Sequence, residues 1–252
     1  MRRFFVSAGP EPGGMIYIDD LGDVRHIRNV LRMKKGDGLT LCDGAGREYD
    51  GVIEDIGDAS GGAIAVSVTD VRQSAEPRSE ITLYQCMPKQ GKMETVIQKS
   101  TELGAARFVP VFSARSVPKA KNAEAKLSRW RRVAEEASKQ SGRGVVPQVE
   151  QPVFIAEAAA ALGDFDIALF PYENERGTTI KSVLRGFAAE QGDAPSHSHI
   201  AIIIGPEGGF TGEEAGLLVG AGARPCSLGT TILRTETAGP AAIAMALYEL
   251  EL

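Results

Sequence analysis

The stretch "IAIIIGPEGGFTGEEAGLLVGAG", residues 200–222, restricts the fold more than any other part of the chain. Ile200, Ala201 and Ile202 to Ile204 are apolar at every position, with no polar alternation. Such a run reads as a strand buried on both faces, and a strand of that kind needs helices on both sides of a mostly parallel sheet. The run ends at Gly205-Pro206-Glu207-Gly208-Gly209. The glycines allow positive φ or close approach of another group, and Pro206 stiffens the turn. Thr211 to Glu214 then forms a capping-box pattern that starts a helix. A strand end, a pliant corner and a helix start are where ligands bind in open α/β sheets. A tight connection that binds nothing is the alternative.

The rest of the chain fits that frame from about residue 76 onward. "ITLYQCM", "RFVPVFS", "DIALFPY", "HIAIIIG" and "ARPCSLG" read as strands, separated by the helical patterns "KMETVIQKSTELGA" and "AEAKLSRWRRVAEEASKQSG" and closed by "AIAMALYEL". In the long helix Trp130, Val133 and Ala137 form a packing stripe, and Ile243, Leu247 and Leu250 do the same in the last. Residues 1–72 differ: short β-rich pieces separated by Gly and Asp turns suggest a small barrel. One helix, "GDVRHIRNVLRMKKGD", interrupts them, with Val24, Ile27, Val30 and Leu31 at helical spacing. The division predicted is a barrel over 1–72 and an α/β domain over 76–252.

Composition excludes several classes. Hydrophobic residues make up 43% of the 252 and no segment has the apolar length of a membrane span or secretory leader. The net charge of -5 argues against a generally basic nucleic-acid coat. Cys42, Cys86 and Cys226 lie far apart, which suits reduced thiols in a cytoplasm and gives no metal-ligand spacing. His197 and His199 sit in a polar loop without partner ligands, so no metal site is expected. The glycine corner is not a Walker loop, since no Gly-Lys-Ser/Thr follows, and the dinucleotide G-x-G-x-x-G spacing is missing. Glu207 would repel a phosphate, so the ligand expected beside this loop is neutral or cationic.

A second corner lies in "CSLGTTILRTETAGPAAIAMALYEL", residues 226–250. A short strand ends at Gly229, and Thr230, Thr231, Arg234, Thr235, Glu236 and Thr237 follow before the terminal helix. Pro240 is tolerated in a first turn, which predicts that this helix begins just after the polar cluster. Two glycine-punctuated strand ends, each facing a helix start, are what a pocket needs.

Four stretches, "LGAARFVPVFSARS", "RWRRVAEEASKQSGRGVVPQV", "IGPEGGFTGEEAG" and "SLGTTILRTETAGPAAIAMAL", together resemble the RsmE family of ribosomal RNA methyltransferases, within the SPOUT superfamily. "HIRNVLRMKKGD" extends the likeness into the first 72 residues. The resemblance implies a C-terminal SPOUT-type α/β domain with a trefoil knot and a PUA-like N-terminal β-barrel. It further implies a homodimer that uses S-adenosylmethionine to methylate N3 of a uridine in 16S ribosomal RNA, as free RNA or in the small subunit. Carried onto this chain, the cofactor residues are Leu169, Phe170, Pro171, Tyr172 and Glu173; Gly205, Pro206, Glu207, Gly208 and Gly209; and Leu228, Gly229, Ile232, Leu233, Arg234 and Thr235.

Uracil N3 carries a proton and is nucleophilic only as the imide anion. Arg234 is the candidate to stabilise the developing oxyanion, and Glu236 to act as the base or to orient one. The alternative is scaffolding, with Arg234 paired to Glu207 or Glu236. RNA contacts are expected from Arg25, Arg28, Arg32, Lys34 and Lys35, a cluster without acidic residues, extended by Arg3, Arg115 and Arg143. Arg143 follows a helix end, where it is expected to reach outward. A non-catalytic RNA-binding protein on the same scaffold is the competing function, and a nucleotide hydrolase is weakened by the missing phosphate-loop lysine.

Overall fold

A computed structural model describes residues 2–11, 13–57, 62–89, 91–116, 123–192 and 197–251. Its contacts divide the chain into two compact units. One comprises residues 1–76 together with 138–146; the other comprises 77–137 and 147–252.

The first unit is built on a five-stranded sheet in the order β1-β3-β4-β5-β2, where β1 is Arg3–Phe5, β2 Met15–Ile18, β3 Gly38–Cys42, β4 Arg47–Asp55 and β5 Ile64–Gln73. Only the β1–β3 pair is parallel. Register shifts at Asp50/Gly51 and Ile53/Asp55 curl the β4–β5 ribbon. Gly51 is needed there, because a Cβ would lie 2.6 Å from Val66 Cγ1 and 2.8 Å from the Ser67 carbonyl oxygen. Phe4, Ile16, Ile18, Leu39, Leu41, Ile53, Ile64 and Val66 fill the inside of the curl.

The short helix α1, Leu21–Arg25, capped by Asp20, passes into a π-turn over His26–Val30. There the Leu31 N–H donates to the carbonyl five residues back, His26, at 2.9 Å. The extra residue rotates the following side chains relative to an α-helix. Val24 and Ile27 are buried as predicted, but Val30 is 67% exposed, and Met33 occupies the core instead. Residues 138–146 also belong to this unit: Val145 bridges Gly44 and Ala45, and Glu76 accepts from the backbone N–H groups of Gly144 and Val145 at 3.0 and 3.1 Å.

The second unit is a parallel sheet in the order β12-β10-β11-β6-β7-β8, with β9 also on β7. Its strands are β6 (Glu80–Cys86), β7 (Arg107–Phe112), β8 (Gln148–Val149), β9 (Val153–Phe154), β10 (Ile167–Pro171), β11 (His199–Ile204) and β12 (Arg224–Cys226). The connecting helices are α2 (Lys92–Glu102), α3 (Ala123–Ser141), α4 (Ile155–Ala160), α5 (Ile180–Gln191), α6 (Gly212–Gly220) and α7 (Thr235–Glu251). The isoleucine run faces both ways, as its lack of alternation predicts. Ile200, Ile202 and Ile204 join a core with side chains of α2, α3, α5 and α7, and Ala201 and Ile203 join one with α4 and α6. Each such isoleucine, fully removed from water, contributes roughly 1.5–3 kcal/mol. Trp130 lies in the first of these cores, 3% exposed, which makes it a packing residue. Ile243 is fully buried there, and Leu247 and Leu250 pack against the same core.

Helix α7 starts earlier than predicted. It begins at Thr235, so Pro240 lies inside it. Proline lacks the N–H that would donate to the carbonyl of Glu236 four residues back. Gly239 lets the same turn settle on β6, since a Cβ there would meet Leu83 Cδ2 at 3.1 Å and Gln85 Oε1 at 3.4 Å.

Candidate active site

The sheet departs from sequence order on one side, where β10 lies between β11 and β12, so the carboxyl ends of these three parallel strands sit side by side. The crevice beyond the carboxyl ends at such a point is the expected ligand position. A cavity of about 500 Å³ lies there, and both glycine corners line it. From the corner after β11 come Gly205 to Gly209; from the one after β12 come Ser227 to Gly229 and Thr231 to Thr235; from the loop after β10 come Pro171 to Glu173, Glu175 and Arg176.

Each corner is shaped by its residues. Gly209 has φ +66, a conformation glycine adopts without strain. Gly205 lets the Phe210 ring close over the strand end, for a Cβ would lie 2.9 Å from that ring. The predicted capping box is present: Thr211 Oγ1 accepts from Glu214 N–H at 3.2 Å, and the Glu214 carboxylate accepts from Thr211 N–H at 2.9 Å. Arg115 donates to the carbonyls of Gly208 and Phe210 at 2.7 and 3.3 Å, which braces this corner from outside.

The two corners are joined by Thr235. Its buried hydroxyl donates to the Gly205 carbonyl at 2.6 Å and accepts from Gln85 Nε2 at 2.9 Å. A second link is ionic. The Lys92 ammonium lies 3.1 Å from Glu207 Oε1 and 3.0 Å from Glu236 Oε2. The latter contact is ionic without the alignment of a hydrogen bond. Burial pushes the Glu236 carboxyl up, but its own backbone N–H and the Lys92 ammonium outweigh this and hold it below the usual carboxylate range. Glu207 shows the same opposition of burial against hydrogen bonds and Lys92, with the Lys89 N–H at 3.1 Å also acting on it, and its carboxyl too is lowered.

Lys92 was absent from the expected site: neither glycine corner contains a lysine, and this one reaches the cavity from the start of α2. Three carboxylates (Glu173, Glu175, Glu207) and three cations (Lys92, Arg176, Arg234) line the cavity. This balance is not the cationic cradle that a polyphosphate requires. The sequence signal for Lys92 was its place at the first position of α2, where the helix dipole disfavours a cation. Leu169 and Phe170 require a second correction. Both are fully buried in β10 and lie outside the lining, and Phe170 stacks on Tyr172 at 5.0 Å between ring centres. They support the cavity floor, since residues central in a parallel strand face the two cores.

Arg234 is exposed and makes no ion-pair contact among the described residues; Lys92 stands beside Glu207 and Glu236 instead, although the charge of Arg234 still acts on Glu236. Among these residues the peptide groups of Leu228 and of Thr230 to Leu233 likewise make no hydrogen bond to protein.

The predicted RNA-binding residues separate into two groups. Arg25, Arg32 and Lys34 are exposed, and Lys35 faces Glu54 at 3.6 Å. Arg28 is a brace instead: its Nε donates to the Ile56 carbonyl and its Nη2 to the Gly62 carbonyl, each at 2.9 Å. Arg3 is taken up by the buried Glu48, which Arg72 also pairs at 2.9 Å. Arg143 does not reach outward. It is 8% exposed, with Glu76 at 2.8 Å from Nε and 2.7 Å from Nη2. A carboxylate inside the fold draws in the nearest guanidinium, and that partner is invisible in a linear reading.

An adenosyl group needs hydrogen-bonding edges and apolar faces, and a sulfonium needs a site without excess positive charge. The peptide groups of Leu228 and of Thr230 to Leu233, which make no hydrogen bond among the described residues, the side chains of Leu228, Ile232 and Leu233, and the balanced charge fit that ligand. No cluster of three or more metal-ligating side chains occurs among the described residues, and no helix there is long and apolar enough to cross a membrane.

Comparison with known proteins agrees with this geometry. A family model described as an RNA methyltransferase domain matches residues 75–247, and one described as an RNA methyltransferase PUA domain matches residues 18–60. The Ribosomal RNA small subunit methyltransferase E of Bacillus subtilis is 34% identical over 91% of this chain and 89% of its own length. The protein of that name from Rickettsia conorii is 32% identical over 96% and 93%. A crystal structure of the Neisseria gonorrhoeae Ribosomal RNA small subunit methyltransferase E bound to S-adenosyl methionine superposes with a TM-score of 0.82, at 29% identity over 97% and 96% of the two chains. The curled N-terminal sheet is thus PUA-like and the parallel sheet a SPOUT-type methyltransferase domain, and the chain belongs to the ribosomal RNA small subunit methyltransferase E family.

Proposed function

We propose that this protein transfers a methyl group from S-adenosylmethionine to N3 of a uridine in 16S ribosomal RNA. The observation that carries the reading is the meeting of two glycine corners around one cavity, lined among others by the guanidinium of Arg234, which makes no ion-pair contact among the described residues. The resemblance adds a homodimer, a cytoplasmic setting, a boundary near residue 75 and a trefoil knot. The segments after β10 and β12 run side by side there: Ser227 N–H donates to the Thr178 carbonyl at 2.8 Å, and Ile180 N–H to that of Ser227 at 3.0 Å, a parallel bridge.

When bound, S-adenosylmethionine supplies an electrophilic methyl group on a cationic sulfur. The peptide groups of Leu228 and of Thr230 to Leu233 supply an edge for adenine, and Leu228, Ile232 and Leu233 supply its faces. Arg234 donates to a uracil carbonyl oxygen as N3 loses its proton, where a planar guanidinium gives directional stabilisation to the anion. Of the two roles considered for Glu236, the lowered carboxyl favours orientation over proton abstraction, because a carboxylate beside an ammonium is a weak base. Solvent is then the acceptor of the N3 proton. Phosphate contacts come from Arg25, Arg32, Lys34 and Lys35 on the N-terminal unit.

The test combines the full-length protein, S-adenosylmethionine and small ribosomal subunits from a strain lacking the enzyme, with mass-spectrometric mapping of methylated nucleosides. One new 3-methyluridine in 16S RNA is expected. The Arg25→Glu, Arg32→Glu double variant should lose RNA methylation while S-adenosylmethionine binding persists. Failure of the wild-type protein to methylate either subunits or free RNA contradicts the reading.

A further inference from the structure

Lys92 has no part in the chemistry above, yet its setting is unusual. It opens α2, where the positive end of the helix dipole opposes a cation, and Gly91 before it provides no side-chain cap. Its ammonium nevertheless meets one carboxylate from each corner, Glu207 at 3.1 Å and Glu236 at 3.0 Å. A single surface ion pair contributes little. Here one cation makes two contacts at once, between side chains that are 29%, 22% and 19% exposed. α2 is not part of either corner, so it acts as an external reference against which both are set.

We propose that Lys92 is a positioning residue for methyl transfer, bridging Glu207 and Glu236 so that the two corners keep the spacing the donor requires. This rests on the methyltransferase reading. Without the bridge, two carboxylates from separate corners face each other with no cation between them, and like charges in that arrangement separate. The Thr235 hydroxyl fixes the inner side of the same junction; Lys92 fixes the outer side, where the chain is free to open.

The pH consequence has a definite sign. The ammonium helps to hold both carboxyls below their usual range, so the bridge is complete at neutral pH and is lost as pH falls through those lowered values. The other charges bearing on it are Arg234, just before α7, whose field also lowers Glu236, and the Lys89 N–H on Glu207. Glu173, Glu175 and Arg176 line the same cavity from the loop after β10. Replacing Lys92 by a neutral residue leaves the two carboxylates opposed at neutral pH, and protonation of either one relieves that repulsion. The neutral variant therefore regains donor affinity as pH falls, over the range in which the wild-type bridge is being lost.

The experiment measures S-adenosylmethionine binding by calorimetry across the acid range for wild type, Lys92→Met and Lys92→Arg, with thermal unfolding run in parallel. Lys92→Gln replaces Lys92→Met if the latter does not fold. The expected result is a Kd raised about fivefold at neutral pH in the neutral variant, loss of the wild-type acid limb with affinity recovering as pH falls, and restoration of the wild-type Kd and limb in Lys92→Arg. An unchanged Kd and limb overturn the proposal, as does a fall in thermal midpoint with the limb unmoved, which marks a merely structural role. Absence of donor binding by the wild-type protein would instead overturn the methyltransferase reading itself.

Discussion

Arginines that look alike in the sequence differ sharply in what surrounds them. Arg3 and Arg143 compensate acidic partners, and Arg28 and Arg115 hold loop carbonyls, whereas Arg234 has no ion-pair partner among the described residues while lining the cavity. A guanidinium already paired loses that contact in order to bind substrate; Arg234 gives up no ion pair recorded among the described residues, only its longer-range field on Glu236. The expected outcome of Arg234→Ala is therefore kinetic. The single-turnover methylation rate should fall about 10²–10³-fold, the effect of deleting one oxyanion donor, while the Kd for S-adenosylmethionine changes far less. Stopped-flow or quenched single-turnover assays decide it: weakened donor binding with an intact rate would mean that Arg234 only shapes the cofactor loop. The glycines, Thr211 and Arg234 were legible in the sequence because local backbone chemistry or a local motif marks them. Lys92, Arg3 and Arg143 were not, since their roles are set by carboxylates far along the chain.

At the scale of elements, long periodic patterns were legible and short or irregular ones were not. The strands β6, β7, β10 and β11 and the helices α2 and α3 follow from runs of apolar or amphipathic residues. The two-residue strands β8 and β9 and the single-turn start of the N-terminal helix carry too few residues to show a period. The π-turn at His26–Val30 changes the period midway, which is why Val30 was misplaced in the core. The start of α7 was misplaced for another reason. The fold tolerates Pro240 inside the helix because the contacts of Thr235 and Gly239 hold the first turn against β6 and β11. Thr235 is accordingly where one element depends most on another. Thr235→Val keeps the shape but leaves the Gly205 carbonyl without its donor, at a cost of about 1–3 kcal/mol. Urea unfolding should show that loss, together with weaker donor binding; an unchanged midpoint would mean that the corners are joined elsewhere.

For the whole molecule, the class of each half was visible from composition and pattern alone: close-spaced strands first, alternating strands and helices after. The assignment of residues 138–146 to the N-terminal unit was not, because it rests on Glu76 accepting from Gly144 and Val145 and on the Val145 bridge to Gly44, contacts between distant segments. The same limitation applies to the cavity. Each glycine corner was visible separately, and their meeting depends on β10, β11 and β12 lying side by side in an order that the sequence does not state. The function proposed depends on that meeting. Its most direct measurement is a crystal structure of the full-length protein soaked with S-adenosylmethionine. The account predicts adenine against Leu228, Ile232 and Leu233 and the methyl-bearing sulfur between Gly205–Gly209 and Arg234. A donor bound at another surface, or two corners that stay apart around an empty space, would contradict it.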